Sequence, residues 1–344
     1  MPVLEISCTG TPYEIGVQHG RAAAVHITRS IVFYGGLFQA SAKLGWPEVC
    51  EKAIEFASSV QRKFPAFAEE MRGIADGAEV TYADILALNV RTEITFGLFN
   101  DGCTALSWKT ARTSFLAQNW DWMEQQKENL VVVNIEQEGK PRISMMTEAG
   151  IIGKIGSLNS SGVGVCLNAI RVKGMDPTHL PVHLGLRVVL ESSSKEEAIS
   201  QLERHGIASS AHMLIADPNG AIGLECTAIG FVKLPMDSQG KILHTNHLIA
   251  HHPGVEDTKF WKDSFNRIDR IQELSKTLSN NPEEDGIYHL FEDEDNYPAS
   301  ICRAQAGESR AATLFNILMD LTDKTAIIRM GRPVTAEEVI TLAP

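Results

Sequence analysis

The chain has no apolar run approaching the about eighteen residues that a bilayer span requires, so no membrane crossing is expected. It also lacks a basic excess: 31 Lys and Arg against 43 Asp and Glu leave a formal net charge of −12. That balance excludes the clustered positive surface on which nucleic acid or anionic lipid would bind. No C-x-x-C pair and no framework spacing link the six cysteines, which read as free thiols of a reducing compartment. "MPVLEISCTG" has neither a basic stretch nor a long apolar one, and "ITLAP" is no peroxisomal tripeptide, so the cytosol is the expected location. The glycine clusters "AGIIGKIG" and "SGVGV" contain no G-K-[ST] and lead into no helix start, which excludes a phosphate loop or dinucleotide fingerprint. "FEDEDNYPAS" lacks the Asp-x-Asp-x-Asp-Gly order and closing Glu of a calcium loop, and reads as a solvated turn or a substrate-facing loop. With no repeat, low-complexity stretch or linker, residues 1–344 are expected to form one domain.

What is present is an ordinary globular composition, 44% hydrophobic and 22% charged. The first hundred residues read as mostly helical. "TPYE" at Thr11–Glu14 has the form of a helix cap, apolar positions recur at helical spacing over 47–78 with a break at Pro65, and Thr81 opens a further helix. Beyond Cys103 the character changes to short β-rich runs: "CTALSW", "SFLAQNW", "LVVVNIEQ", "RISMMTEAG" and "GVGVCLNAI". Helices are expected over 181–191, behind Ser194, over 258–278 and over 284–292. Strands are expected on either side of the Asp217–Gly220 turn, in "KILHTNH" and in a final hairpin. Sheets bracketed by helical blocks without βαβ alternation indicate an α+β layered fold.

The chemistry centres on "LFNDGCTALSW". Gly102 leaves the carbonyl before Cys103 unshielded, and the Cys103 thiol can add to that carbonyl and move the acyl chain from nitrogen to sulfur. Hydrolysis would then expose a Cys103 α-amine, whose ordinary pKa of about 7.7–8.0 suits a base acting on its own thiol. A structural thiol and a Cys-His pair of the papain type are the alternatives, but nothing matches the C-G-[SA]-C-[WY] run of the latter. "HTNH" and "HH" place four imidazoles within 244–252, yet His244 and His247, three apart in a strand, would face opposite ways, and no metal site is expected. Asp121 between two tryptophans, Asn246 within "LHTNHL" and Arg310 before an apolar strand are polar groups in apolar surroundings, either satisfied core residues or parts of a site.

Taken in order, "GTPYEIGVQHG", "DGCT", "AQNWDW", "TEAGIIGKIG", "HTNH", "DEDNYPASICR", "SRAATLFNI" and "RMGRP" resemble the acyl-coenzyme A:isopenicillin N acyltransferase family over essentially the whole chain. The resemblance implies a four-layer αββα sandwich of the N-terminal nucleophile hydrolase type. It implies self-cleavage between Gly102 and Cys103 into fragments 1–102 and 103–344 that stay together as a heterodimer. It also implies Cys103 as nucleophile, Asp121 orienting its amine, Asn246 donating to the oxyanion and Arg310 balancing charge, with Thr227, Ser309 and Asn119 in support. Isopenicillin N, 6-aminopenicillanic acid and acyl-CoA would be the substrates, acyl-CoA as co-substrate, with no cofactor or metal. Thr227 stands where the family has serine and Ala105 where it has a second threonine. Both changes fit a paralogue with weak or altered activity as well as a full enzyme; an amidase acting on other N-acyl amides and a non-catalytic paralogue are the competing readings.

Overall fold

The computed structural model describes residues 2–95, 102–154, 156–255 and 262–344. Strand β1 (Leu4–Thr9) leads to helix α1 (Pro12–Ser41). At their junction the Glu14 carboxylate accepts from the Thr11 N–H at 2.9 Å while the Thr11 hydroxyl accepts from the Glu14 N–H at 3.4 Å, the cap that the sequence indicates. Pro65 separates α2 (Trp46–Lys63) from α3 (Pro65–Ala78), and α4 (Tyr82–Asn89) and α5 (Arg91–Thr95) follow. Helices α1 and α3 lie backbone to backbone because Gly16 has no side chain: a Cβ there would sit 2.0 Å from the Glu70 carbonyl oxygen.

The rest of the chain supplies β2 (Gly102–Lys109), β3 (Ser114–Trp122), β4 (Leu130–Glu136), β5 (Ile143–Glu148), β6 (Ser157–Asn159), β7 (Gly164–Ala169), α6 (Val182–Leu190) and α7 (Lys195–His205). It continues through β8 (Ala211–Asp217), β9 (Gly220–Thr227), β10 (Gly230–Pro235), β11 (Lys241–His244), α8 (Asp263–Ser275), α9 (Glu284–Leu290), β12 (Ala312–Asp320), β13 (Thr325–Met330) and β14 (Glu338–Leu342). Two sheets result, ordered β1-β4-β5-β6-β7-β8-β9-β10 and β11-β2-β3-β12-β13-β14. The helix expected over 258–278 is described from Asp263 and ends at Ser275; its proposed start, like Asp101 before the glycine, lies outside the described residues.

Strand alternation assigns the layers. In β2 and β3, Cys103, Ala105, Leu116 and Trp120 belong to the main core with Val165, Met213 and Leu214 of the facing sheet. Their neighbours Leu106, Trp108, Phe115 and Ala117 turn the other way, against Ile271 of α8 and Ile287 of α9. Helices α1, α6 and α7 cover the outer face of the larger sheet. The order is therefore helix, sheet, sheet, helix: a four-layer αββα sandwich whose strands β2 and β3 are buried on both faces.

Candidate active site

Cys103 is the second residue of β2, with Trp120 opposite it on β3. Its side chain points between the sheets into a small cavity of about 40 Å³, lined among others by Trp120, Trp122, Ala169, Arg91, Lys154 and His183. Strand β11 ends at His244, opposite Ala105. Beyond it the Asn246 side chain takes over the pairing: its Oδ1 accepts from the Cys103 backbone N–H at 2.9 Å. The other half of the Asn246 amide donates to the Ala169 carbonyl at 3.0 Å. Asn246 thus meets the nitrogen of Cys103 as an acceptor.

On the opposite face of β2 and β3 lies a buried ionic group. Asp121 pairs across the strands with Gly102, and a Cβ on that glycine would meet Asp121 Oδ2 at 2.9 Å and Arg303 Nε at 3.0 Å. Asp121 accepts from the Thr313 hydroxyl at 2.7 Å and from Arg303 Nε at 3.2 Å. Burial pushes the Asp121 carboxyl up from its usual range, and the Arg303 and Arg267 charges with the Thr313 hydroxyl pull against it. Asp263 joins the two guanidiniums, accepting from Arg267 Nε at 3.0 Å and from Arg303. Arg267 then reaches Cys103 and its partner: one terminal nitrogen donates to the Cys103 carbonyl at 2.6 Å, the other to Asn246 Oδ1 at 2.9 Å. Asn168 adds a donor to the same carbonyl at 3.3 Å.

Residues 108–335 match the family described as acyl-coenzyme A:6-aminopenicillanic acid acyl-transferase. The 40 kDa form of acyl-coenzyme A:6-aminopenicillanic-acid-acyltransferase from Emericella nidulans is 41% identical over 345 residues, spanning 99% of this chain and 96% of that one. This chain belongs to that family. Two solved structures of conjugated bile acid hydrolase variants from Clostridium perfringens share the fold, with TM-scores of 0.51 and 0.50 at 14% identity, each covering 70% of this chain and 92% of theirs. The four-layer sandwich expected from the sequence is thus the fold of those hydrolases as well.

Within this family member the residues picked out from the sequence separate. Cys103, Gly102, Asp121 and Asn246 converge. Arg310 does not: it is exposed, and the guanidinium beside Asp121 belongs to Arg303. Ser309 stays near the group through a 3.3 Å hydrogen bond from Arg303. Asn119 faces the α9 side, donating to the Phe291 and Ile301 carbonyls, each at 2.9 Å, so it anchors the loop between them instead of touching the cavity. The Thr227 hydroxyl donates to the Gly230 carbonyl at 3.1 Å and closes the β9–β10 turn. Arg267, Asp263 and Arg303 escape a linear reading. Only Arg303, the end of "PASICR" and a lone charge after two apolar residues, carried a signal.

The crowded histidines find a carboxylate partner. Strand β11 stops at His244, short of the His247 end expected; His244 contacts Glu225 at 3.0 Å, and His252 contacts the same carboxylate at 2.9 Å. Glu225 also accepts from the Ile249 and Ala250 N–H groups, clamping the loop that carries Asn246. Among the described residues no group of three or more His, Cys, Asp or Glu is arranged to hold a metal ion.

Two buried carboxylates flank the cavity. Burial alone would raise Glu148, but Arg91 and Lys154 at 2.7 and 2.6 Å hold it down at about 2. Glu93 goes the other way. Burial pushes it up from 4.5 to about 7, against hydrogen bonds from the Val182 N–H and the Ser209 hydroxyl, and its second oxygen has no hydrogen-bond partner. Between those two values the folded protein keeps a proton that the unfolded chain releases, so the stability cost of Glu93 grows as pH rises through that window. Glu93→Gln is expected to gain on the order of 1–3 kcal/mol over wild type at pH 8 and little near pH 4.5, read from urea midpoints.

Proposed function

We propose that the chain cuts itself between Gly102 and Cys103 and that the freed Cys103 then carries acyl groups, removing the side chain of isopenicillin N and acylating 6-aminopenicillanic acid from acyl-CoA. The observation that carries this reading is the division of labour at Cys103: its thiol faces a small cavity while its nitrogen rests on Asn246. In the cut, Sγ adds to the Gly102 carbonyl carbon, the C–N bond breaks and the nitrogen takes the thiol proton. Water then hydrolyses the thioester, leaving a Gly102 carboxylate and a Cys103 thiol and amine.

The fragments would remain together. Residues 1–102 contribute β1, paired in parallel with β4, and α1, whose Ile15, Ile27, Tyr34 and Phe38 lie fully inside the common core. In turnover the amine accepts the thiol proton, the thiolate attacks the amide of isopenicillin N or the thioester of acyl-CoA, and the amine returns the proton to the leaving group. Asn246 holds the amine, and Asp121 with Arg303 sets the position of the strand end. Water or the amine of 6-aminopenicillanic acid then takes the acyl group from sulfur. The family match and the 41% identical relative, named for the second of these acceptors, support transfer.

Phenylacetyl-CoA mixed with 6-aminopenicillanic acid and the protein is expected to yield benzylpenicillin, measured by liquid chromatography and mass spectrometry. Release of phenylacetate alone would favour the amidase reading instead.

A further inference from the structure

We propose that Arg267 keeps the released α-amine of Cys103 neutral, and therefore able to act as a base. This rests on the N-terminal nucleophile reading above and assigns a residue to it that the sequence motifs do not contain. The Cys103 nitrogen and an Arg267 terminal nitrogen donate to one atom, Asn246 Oδ1, each at 2.9 Å. Two donors on a single oxygen stand roughly 5 Å apart. The same guanidinium also holds the Cys103 carbonyl at 2.6 Å and the Thr104 hydroxyl at 3.1 Å, so it is clamped to the nucleophile residue on both sides of its Cα. Arg267 is only 1% exposed, and solvent screens this contact little.

The other charges around the amine decide whether this proximity has a consequence. On the outer face of β2 are Asp121, from β3, Asp263, from α8, and Arg303, from the segment before β12; these two carboxylates are already shared between the two guanidiniums. On the cavity side are Arg91 and Lys154, both bound to Glu148, with His183 held well below its usual range by burial and those two cations. Behind Asn246 and Asn168 stand Glu225 with His244 and His252, and His212, which burial and the neighbouring His244 keep neutral. Each of these carboxylates already contacts a cation or histidine, and the charged group that shares a hydrogen-bond acceptor with the amine is a cation. An ammonium formed at Cys103 would share its acceptor with a guanidinium, a like-charge placement that disfavours the protonated form. Without it, an amine of ordinary pKa would be largely protonated at neutral pH.

The test is the pH dependence of iodoacetamide alkylation of Cys103 in the processed protein, followed by the mass of the 103–344 fragment. The mass of each sample is taken first. An uncut wild type would refute the self-cleavage reading itself, before the role of Arg267 is examined. Arg267→Gln is expected to move the apparent pKa of the thiol–amine pair up by about one unit, because the ammonium is no longer opposed. Arg267→Lys, which keeps the charge, is expected to restore the wild-type profile. Asp263→Asn, which strips Arg267 of its counter-ion, is expected to move the profile down. The last two variants decide the matter if the glutamine substitution prevents processing. Superimposable wild-type and Arg267→Gln profiles, equal shifts for Gln and Lys, or an unmoved Asp263→Asn profile would each overturn the proposal. A merely structural role for Arg267 predicts loss of folded protein, not opposite shifts from neighbouring substitutions.

Discussion

Cys103→Ala is expected to remain a single species of 37.7 kDa in denaturing mass spectrometry, while the wild type separates into fragments 1–102 and 103–344. The reason is local and chemical. The substitution removes one sulfur from a residue that is 2% exposed and otherwise flanked by Trp120 and Ala169. Such a change leaves the strand and its pairing to β3 and β11 in place and costs about 1 kcal/mol of packing. It also removes the one atom able to add to the Gly102 carbonyl. The chain should therefore fold, and neither cut itself nor form an acyl-enzyme with phenylacetyl-CoA. Cys103→Ser keeps a nucleophile of poorer reactivity and is expected to process slowly. A wild type that stays whole on prolonged incubation would remove the base from the mechanism, and the non-catalytic paralogue reading would replace it.

The largest effect on stability is expected at Glu148. This carboxylate, at the end of β5, is fully buried and accepts from Arg91, Lys154, Gln126 and Tyr34. Lys154 in turn lies 4.2 Å from the centre of the Trp120 ring, beside the cavity of Cys103. Glu148→Ala strips two enclosed cations of a shared partner, and breaking a buried ion pair from one side costs about 3–5 kcal/mol. A lower urea midpoint at pH 7 measures it; an unchanged midpoint would mean that the group contributes nothing net. The loss should depend on pH in a defined direction. Glu148 is depressed from 4.5 to about 2, so its contribution is complete above 4.5 and disappears as pH falls towards 2. Wild type and variant are expected to converge in acid, the reverse of the trend at Glu93.

Local features were readable because their causes are local. Thr11, Thr81 and Ser194 cap helices through atoms three residues away, and Pro65 separates two helices by its own ring. The β-rich runs after Cys103 show in their branched and aromatic residues. The candidate nucleophile was picked out by adjacent residues, a glycine carbonyl beside a thiol, together with the family resemblance. The misplacements arise where distant segments compete for the same role. Arg303 and Arg310 lie seven positions apart in one polar stretch before β12, and only the Thr313 hydroxyl, bonded to the Arg303 N–H at 3.0 Å, shows which of them is drawn in beside Asp121. The role of His244 and His252 was hidden because their partner, Glu225, belongs to a different strand.

By itself, then, the sequence determined the helix caps, the run of strands, the thiol and its preceding glycine, and the family to which the chain belongs. The tertiary structure alone decided which charges surround Cys103. Arg267, Asp263, Arg303, Glu148 and Glu225 come from separate elements, and each is placed by the burial cost of an unpaired ion, a constraint that acts through space and leaves no period or spacing along the chain.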